Sequence, residues 1–183
     1  GNYVGRQVAR WSKQYMDSET ETIDSMNNLI DWLPENLPTE KKTGIVHGDY
    51  SLSNVMIGKN DPGVIAILDW ELSTLGDPCA DFNYHCLQYT MNPKLADTSY
   101  CKEKGIPVID DYVSLYSEQI NIDLTEEWDL YTAYNLFKLA GILQGILGRV
   151  RDGTAANENA ADRAAGVRNL SDTAWDLVEK NFL

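Results

Sequence analysis

The chain has 183 residues, 43% of them hydrophobic, and a formal net charge of −13. That length suits one globular domain with a real core, and its apolar content with five Trp excludes a disordered chain. The acidic balance speaks against nucleic acid and anionic membrane surfaces as partners, and no run of ~18 apolar residues announces a transmembrane helix.

In chain order, Tyr3 to Tyr15 has the spacing of a helix. Ser18-Glu19-Thr20-Glu21 has the form of a capping box, and Ile23, Met26, Ile30 and Leu33 follow at helical spacing until Pro34 stops the run. Gly44–Val46, Val55–Ile57 and Val64–Leu68 are three short apolar runs of β type, the last two joined by the turn signal Asn60-Asp61-Pro62-Gly63. Pro78 suits the first turn of a helix running to about Tyr89. Met91 to Pro107 reads as irregular, and Asp110 to Gln119 as a helix. Thr125 is the expected cap of a long helix from Glu126 to about Leu147, and a last helix is expected from about Asn159 to Val178. The polar segment Arg151 to Asn157 lies between those two, and no internal repeat is visible.

Cys79, Cys86 and Cys101 are too few, and odd in number, for a disulfide framework. Buried, reduced thiols are expected, and with no apolar secretory segment at the N-terminus the expected location is cytoplasmic, in a reducing compartment. The scattered Asp and Glu residues read first as a solubility device, and second as a bias toward a cationic substrate.

The chemistry concentrates in His47-Gly48-Asp49-Tyr50-Ser51-Leu52-Ser53-Asn54 and, fifteen positions beyond Asn54, in Asp69-Trp70-Glu71. Kinase catalytic loops read His-x-Asp-x-x-x-x-Asn, with a metal-binding Asp in a separate element further along. Strand, loop, strand, turn, strand and Asp is a layout that brings Asp49, Asn54 and Asp69 to one end of a hairpin. One carboxylate can then orient an attacking hydroxyl, while an amide oxygen and a second carboxylate hold Mg²⁺ against nucleotide phosphates.

From Gly44 to Tyr89 the chain resembles the aminoglycoside phosphotransferase and choline kinase family of small-molecule kinases. His47-Gly48-Asp49 stands where protein kinases have His-Arg-Asp, Ile67-Leu68-Asp69-Trp70-Glu71 is similar to the family's second metal motif, and Gly76-Asp77-Pro78 with Asp81 is similar to its Gly-Asp-Pro-x-x-Asp. The string from Leu68 to Pro78 most resembles the subgroup related to the kinase-like domains of certain acyl-CoA dehydrogenases. The resemblance implies an α+β, mostly helical fold: a protein-kinase-like C-terminal lobe, residues 1–183 as a single domain, with a small β-hairpin region carrying the motifs.

It also implies roles. Asp49 is the expected catalytic carboxylate, and Asn54 and Asp69 the expected metal ligands. His47 and Asp81 are expected to support the catalytic loop. Met56 and Leu68 are candidates for the floor under the adenine ring, with core packing an equal account of both. Mg²⁺ is the implied cofactor and ATP the phosphoryl donor. The implied partner is a small molecule bearing a hydroxyl, which an aminoglycoside, an amino alcohol or a hydroxyacyl compound would each satisfy. Met91 to Pro107 and Arg151 to Asn157 are candidate substrate elements, with exposed connectors as their plainer reading.

Only 46 residues precede His47, and they contain no Gly-rich phosphate loop and no strand Lys of the Val-Ala-x-Lys type. The N-terminal ATP-gripping lobe is therefore expected to be missing from this chain and to act as its partner. Two classes of function stay open: an ATP-dependent small-molecule kinase represented by its catalytic lobe, and a non-catalytic kinase-like module for binding or assembly.

Overall fold

The structure is a computed structural model that describes residues 1–155 and 159–183. Its residues divide into two compact units, one formed by Glu40–Trp128 with Gly1, the other by Asn2–Thr39 and Asp129–Leu183. The fold is mainly helical with two small antiparallel sheets, as expected for an α+β chain of this pattern.

In the first unit, β1 (Gly44–Val46) pairs with β4 (Thr74–Gly76), Ile45 opposite Leu75. β2 (Val55–Ile57) pairs with β3 (Val64–Ile67), Val55 opposite Ile67 and Met56 opposite Ala66, with a bulge at Met56/Ile57. The first three strands lie where the apolar runs put them. β4 was not expected, because Thr-Leu-Gly is too short to stand out from the motif around it. Helix α3 (Pro78–Met91) starts with Pro78 in its first turn, and Asp77 caps it by accepting the Cys79 N–H at 2.9 Å. The expected irregular stretch Met91 to Pro107 is instead two short helices, α4 (Pro93–Ala96) and α5 (Thr98–Lys104). Asn92 and Asp97 cap them, and Gly105 ends α5 with a left-handed residue. Helix α6 is Ile109–Ile120. Phe82 stacks on Tyr116 with ring centroids 3.8 Å apart and meets Tyr112 edge-on, forming an aromatic core under α3.

The second unit contains α1 (Tyr3–Ser18), α2 (Asp24–Trp32), most of α7 (Trp128–Arg151), α8 (Ala160–Arg163) and α9 (Val167–Phe182). Met26 and Leu29 of α2 are fully buried, as are Ala174 and Val178 of α9, and Ser25 Oγ donates to Asp172 at 2.6 Å where these two helices pack. Gly145 and Gly148 let α7 approach α1 closely: a Cβ at Gly148 would stand 2.6 Å from the Ser18 Cβ.

Three expected boundaries are corrected. Ser18 does not open a capping box; it ends α1, where its hydroxyl donates to the Gln14 carbonyl at 2.6 Å, and α2 begins behind an extended Ile23 with no side-chain cap. Thr125 does not cap α7, which starts at Trp128, because the Thr125 hydroxyl is turned to Asp123 at 2.7 Å. The last helix is broken at Ala164–Gly166, so α8 and α9 replace one continuous element. Of the polar segment Arg151 to Asn157, Ala156 and Asn157 lie outside the described residues.

Candidate active site

β1 ends at Val46 and delivers His47 into the core, 3% exposed, with the half-buried Gly48 and Asp49 following. His47 Nε2 lies 2.7 Å from the Leu68 carbonyl, which can only accept, so the proton sits on Nε2. Nδ1 is then the acceptor for the Asp49 N–H, at 3.3 Å. The neutral ring thus ties the backbone of Asp49 to the residue just ahead of Asp69. Asp81, one turn into α3, receives the other side of the loop: Oδ2 accepts the His47 N–H and Oδ1 accepts the Gly48 N–H at 3.0 Å.

Asn54 closes a short helical turn, Leu52–Asn54, and its Nδ2 donates both to the Asp49 carbonyl at 2.9 Å and to Asp49 Oδ2 at 3.2 Å. Its own carbonyl accepts the Leu68 N–H at 2.8 Å, extending the β2–β3 pairing by one step. Asn54 therefore sits opposite Leu68 and beside Asp69. Asp69 has φ 65° and ψ 55°, a left-handed backbone that few non-glycine residues adopt. It is exposed, and its carboxylate accepts no hydrogen bond among the described residues. Backbone strain of this kind persists only where the surroundings enforce it, and it concentrates at functional sites.

The donor set suits a hard divalent cation. With Asn54 Nδ2 committed to Asp49, the amide oxygen is the atom of that side chain left to coordinate a cation, as the exposed Asp69 carboxylate also could. Mg²⁺ is held by one or two carboxylates together with substrate phosphates and water rather than by an all-protein cage. Among the described residues no three His, Cys, Asp or Glu side chains are grouped so as to hold a metal.

Met56 and Leu68 share one face of the β2–β3 hairpin with Asn54 and are 44% and 43% exposed. Trp70, in the turn after Asp69, sets its ring 4.8 Å from His47 and donates Nε1–H to the Ile67 carbonyl at 2.8 Å.

Two contributors were not read from the sequence, although the helical spacing i, i+3, i+4 from Asp81 could have found them. The Tyr84 hydroxyl is hydrogen-bonded to Asp49; burial first, then the Asp49 charge, raises its pKa. His85 packs against Tyr50 with ring centroids 5.1 Å apart and meets the Tyr112 hydroxyl at 3.3 Å, and burial lowers its pKa. Asp81, Tyr84 and His85 thus present one face of α3 to the loop His47–Tyr50.

A family model described as the phosphotransferase enzyme family matches residues 1–131. The chain belongs to that family. A solved structure from Ralstonia eutropha JMP134, assigned as an aminoglycoside phosphotransferase, superposes on this phosphotransferase-family chain with a TM-score of 0.92 and 43% identity, covering all of this chain and 57% of its own. Mouse acyl-CoA dehydrogenase family member 10 is 37% identical over 98% of this chain and 17% of its own length. Human acyl-CoA dehydrogenase family member 11 is 34% identical over 98% of this chain and 24% of its own. The resemblance read from Leu68 to Pro78 is borne out by these relatives. The phosphotransferase-family chain spans less than a quarter of the length of either.

Proposed function

We propose that this chain is the catalytic and acceptor-binding lobe of an ATP- and Mg²⁺-dependent small-molecule kinase that phosphorylates a hydroxyl group. The observation that carries the reading is the pairing of Asn54 with Leu68, which sets Asn54 beside Asp69 while the same Asn54 holds Asp49 by its amide. This supports a shared role for Asp49, Asn54 five positions on, and Asp69 fifteen beyond that, whose side chains have the chemistry the reading requires.

Asp49 accepts the acceptor hydroxyl's hydrogen bond and takes its proton late, as the acceptor oxygen bonds to the γ-phosphorus and ADP departs. Asn54 and Tyr84 fix the direction of that carboxylate. Asn54 Oδ1 and the Asp69 carboxylate would hold Mg²⁺, which when bound neutralises charge on the transferring phosphoryl group. His47 and Asp81 keep the loop in register. Met56 and Leu68, on the Asn54 face, form the floor under the adenine.

The phosphates are gripped by a lobe supplied elsewhere in the polypeptide. Supporting this, Ile45, Ile57, Val64, Ile65 and Leu75 on the two small sheets are all between 52% and 69% exposed, apolar side chains of the kind a further lobe would cover. The structural relative's name favours aminoglycoside acceptors, and the dehydrogenase-family relatives favour hydroxyacyl compounds. The test is phosphoryl transfer from ATP with Mg²⁺ to a panel holding both classes, using the longer polypeptide that carries this chain. Turnover that survives Asp49→Asn refutes the assignment.

A further inference from the structure

In the second unit, α1 and the end of α7 flank an open cleft of about 350 Å³. Four cations line it, Arg10 and Lys13 from α1 with Arg149 and Arg151 from the last turn of α7, against two carboxylates, Asp17 and Asp152. The cleft is thus net positive by two in a chain whose net charge is −13. Gln14, Ser18, Gly145 and Gly148 complete its lining, with Gln14 and Ser18 packed close against the two glycines.

The pairing within the cleft is uneven. Arg151 binds Asp152 in a two-pronged contact at 2.8 and 3.2 Å and donates Nη1–H to the Glu19 carbonyl at 2.8 Å. Lys13 meets Asp17 at 2.7 Å, with both side chains well exposed, and an exposed pair of this kind is weak and readily exchanged. Among the described residues neither Arg10 nor Arg149 has an ion-pair partner; the Arg10 guanidinium lies 5.1 Å from the Trp11 ring centroid.

Complementing helix dipoles accounts for only half of this charge. Arg149 and Arg151 lie in the last turn of α7, where cations are favoured. Arg10 and Lys13 lie eight and five residues before the end of α1 at Ser18, or ~12 and ~7.5 Å along the axis at ~1.5 Å per residue. The dipole effect fades within the terminal turn.

We infer that the α1–α7 cleft is an anion site that takes a phosphate group, with the Arg10 and Arg149 forks and the displaceable Lys13 as its ligands. Guanidinium forks match phosphate oxygens in pairs. Against ~30 Å³ for a water, the volume leaves room for atoms attached to the phosphate.

Calorimetric titration of the 183-residue chain with inorganic phosphate and, separately, glycerol 3-phosphate tests the inference. Saturable binding of either is expected, weakening with added salt, and tighter binding of the ester would assign the site to a phosphate carried on a metabolite. Arg10→Glu with Arg149→Glu, both on exposed positions, should weaken binding by at least about tenfold, since it turns two attractions into repulsions. Should that reversal unfold the chain, Arg10→Gln with Arg149→Gln is expected to weaken binding severalfold with an unchanged melting temperature. No saturable binding of either ligand up to ~10 mM, an affinity still measurable against the weak end of specific binding, overturns the inference. So does wild-type affinity in a folded charge variant.

Discussion

Asp81 and Gly48 are joined by a hydrogen bond of 3.0 Å from the Gly48 N–H to Oδ1, while Oδ2 of the same carboxylate takes the N–H of His47. One side chain on α3 thereby holds two successive amides of the loop that presents Asp49. Asp81→Ala should strand both donors, at about 1–3 kcal/mol each if they stay dry. Melting temperature and turnover are expected to fall together, and a variant with wild-type melting and rates would remove the bracing role. Asp81→Asn, which keeps one acceptor oxygen, should fall between.

Gly48 has φ +88°, and a Cβ there would lie 2.8 Å from the Leu72 carbonyl oxygen. Gly48→Ala therefore meets both backbone strain and a backbone atom that cannot swing away. A loss of about 1–3 kcal/mol is expected, the range for a residue held in a sparsely populated region. Chemical denaturation measures it; a loss under ~0.5 kcal/mol, the scale of an ordinary surface change, would mean that the loop relaxes.

Asp69 presents the opposite case, since its left-handed backbone suits glycine better than aspartate. Asp69→Gly is expected to melt at or above the wild-type temperature while losing Mg²⁺-dependent turnover. A marked drop in melting temperature would show that the Asp69 side chain supports the fold rather than the chemistry.

Alkaline pH should destabilise the chain. Burial, with the Asp77 charge adding at Cys79, pushes the thiols of Cys79 and Cys86 from 9.0 up to about 12. The unfolded chain releases these protons near pH 9 and the folded chain retains them. Their contribution is whole below pH 9 and is lost as the pH rises toward 12. Melts between pH 8 and 11 should show a steady decline, smaller in a Cys79→Ala, Cys86→Ala variant relative to its own value at pH 8. Parallel curves would assign the decline to other groups, with Tyr84 and Tyr116, both raised mainly by burial, the first to examine.

The sequence carried the strands bearing the motifs because Gly44–Val46, Val55–Ile57 and Val64–Ile67 are short apolar runs bounded by turn residues. Those runs also fix which of Asp49, Asn54 and Asp69 share an end of the hairpin. It did not carry β4, since Thr74–Gly76 pairs only through the distant β1. Ser18 misled because a hydroxyl that can cap the next helix can equally donate back into the previous one, and only packing decides. Nor was the left-handed Asp69 visible, since its conformation is imposed by the β3 end and the following turn. Tyr84 and His85 were hidden among core-like aromatics. Their helical spacing from Asp81, itself expected to support the catalytic loop, marks the face that meets that loop, but an aromatic and a His there read equally well as core.

The most direct measurement is Mg²⁺-dependent transfer of the γ-phosphoryl group of ATP to hydroxylated acceptors. It compares the longer polypeptide carrying this chain with its Asp49→Asn variant and with the 183-residue chain alone. The longer polypeptide should turn over, its Asp49→Asn variant should lose at least ~10²-fold at unchanged melting temperature, on the scale of a positioned base, and the 183-residue chain should be nearly inactive. Near-normal turnover by Asp49→Asn, or no transfer by the longer polypeptide to any acceptor of either class, would contradict the phosphotransferase site described here.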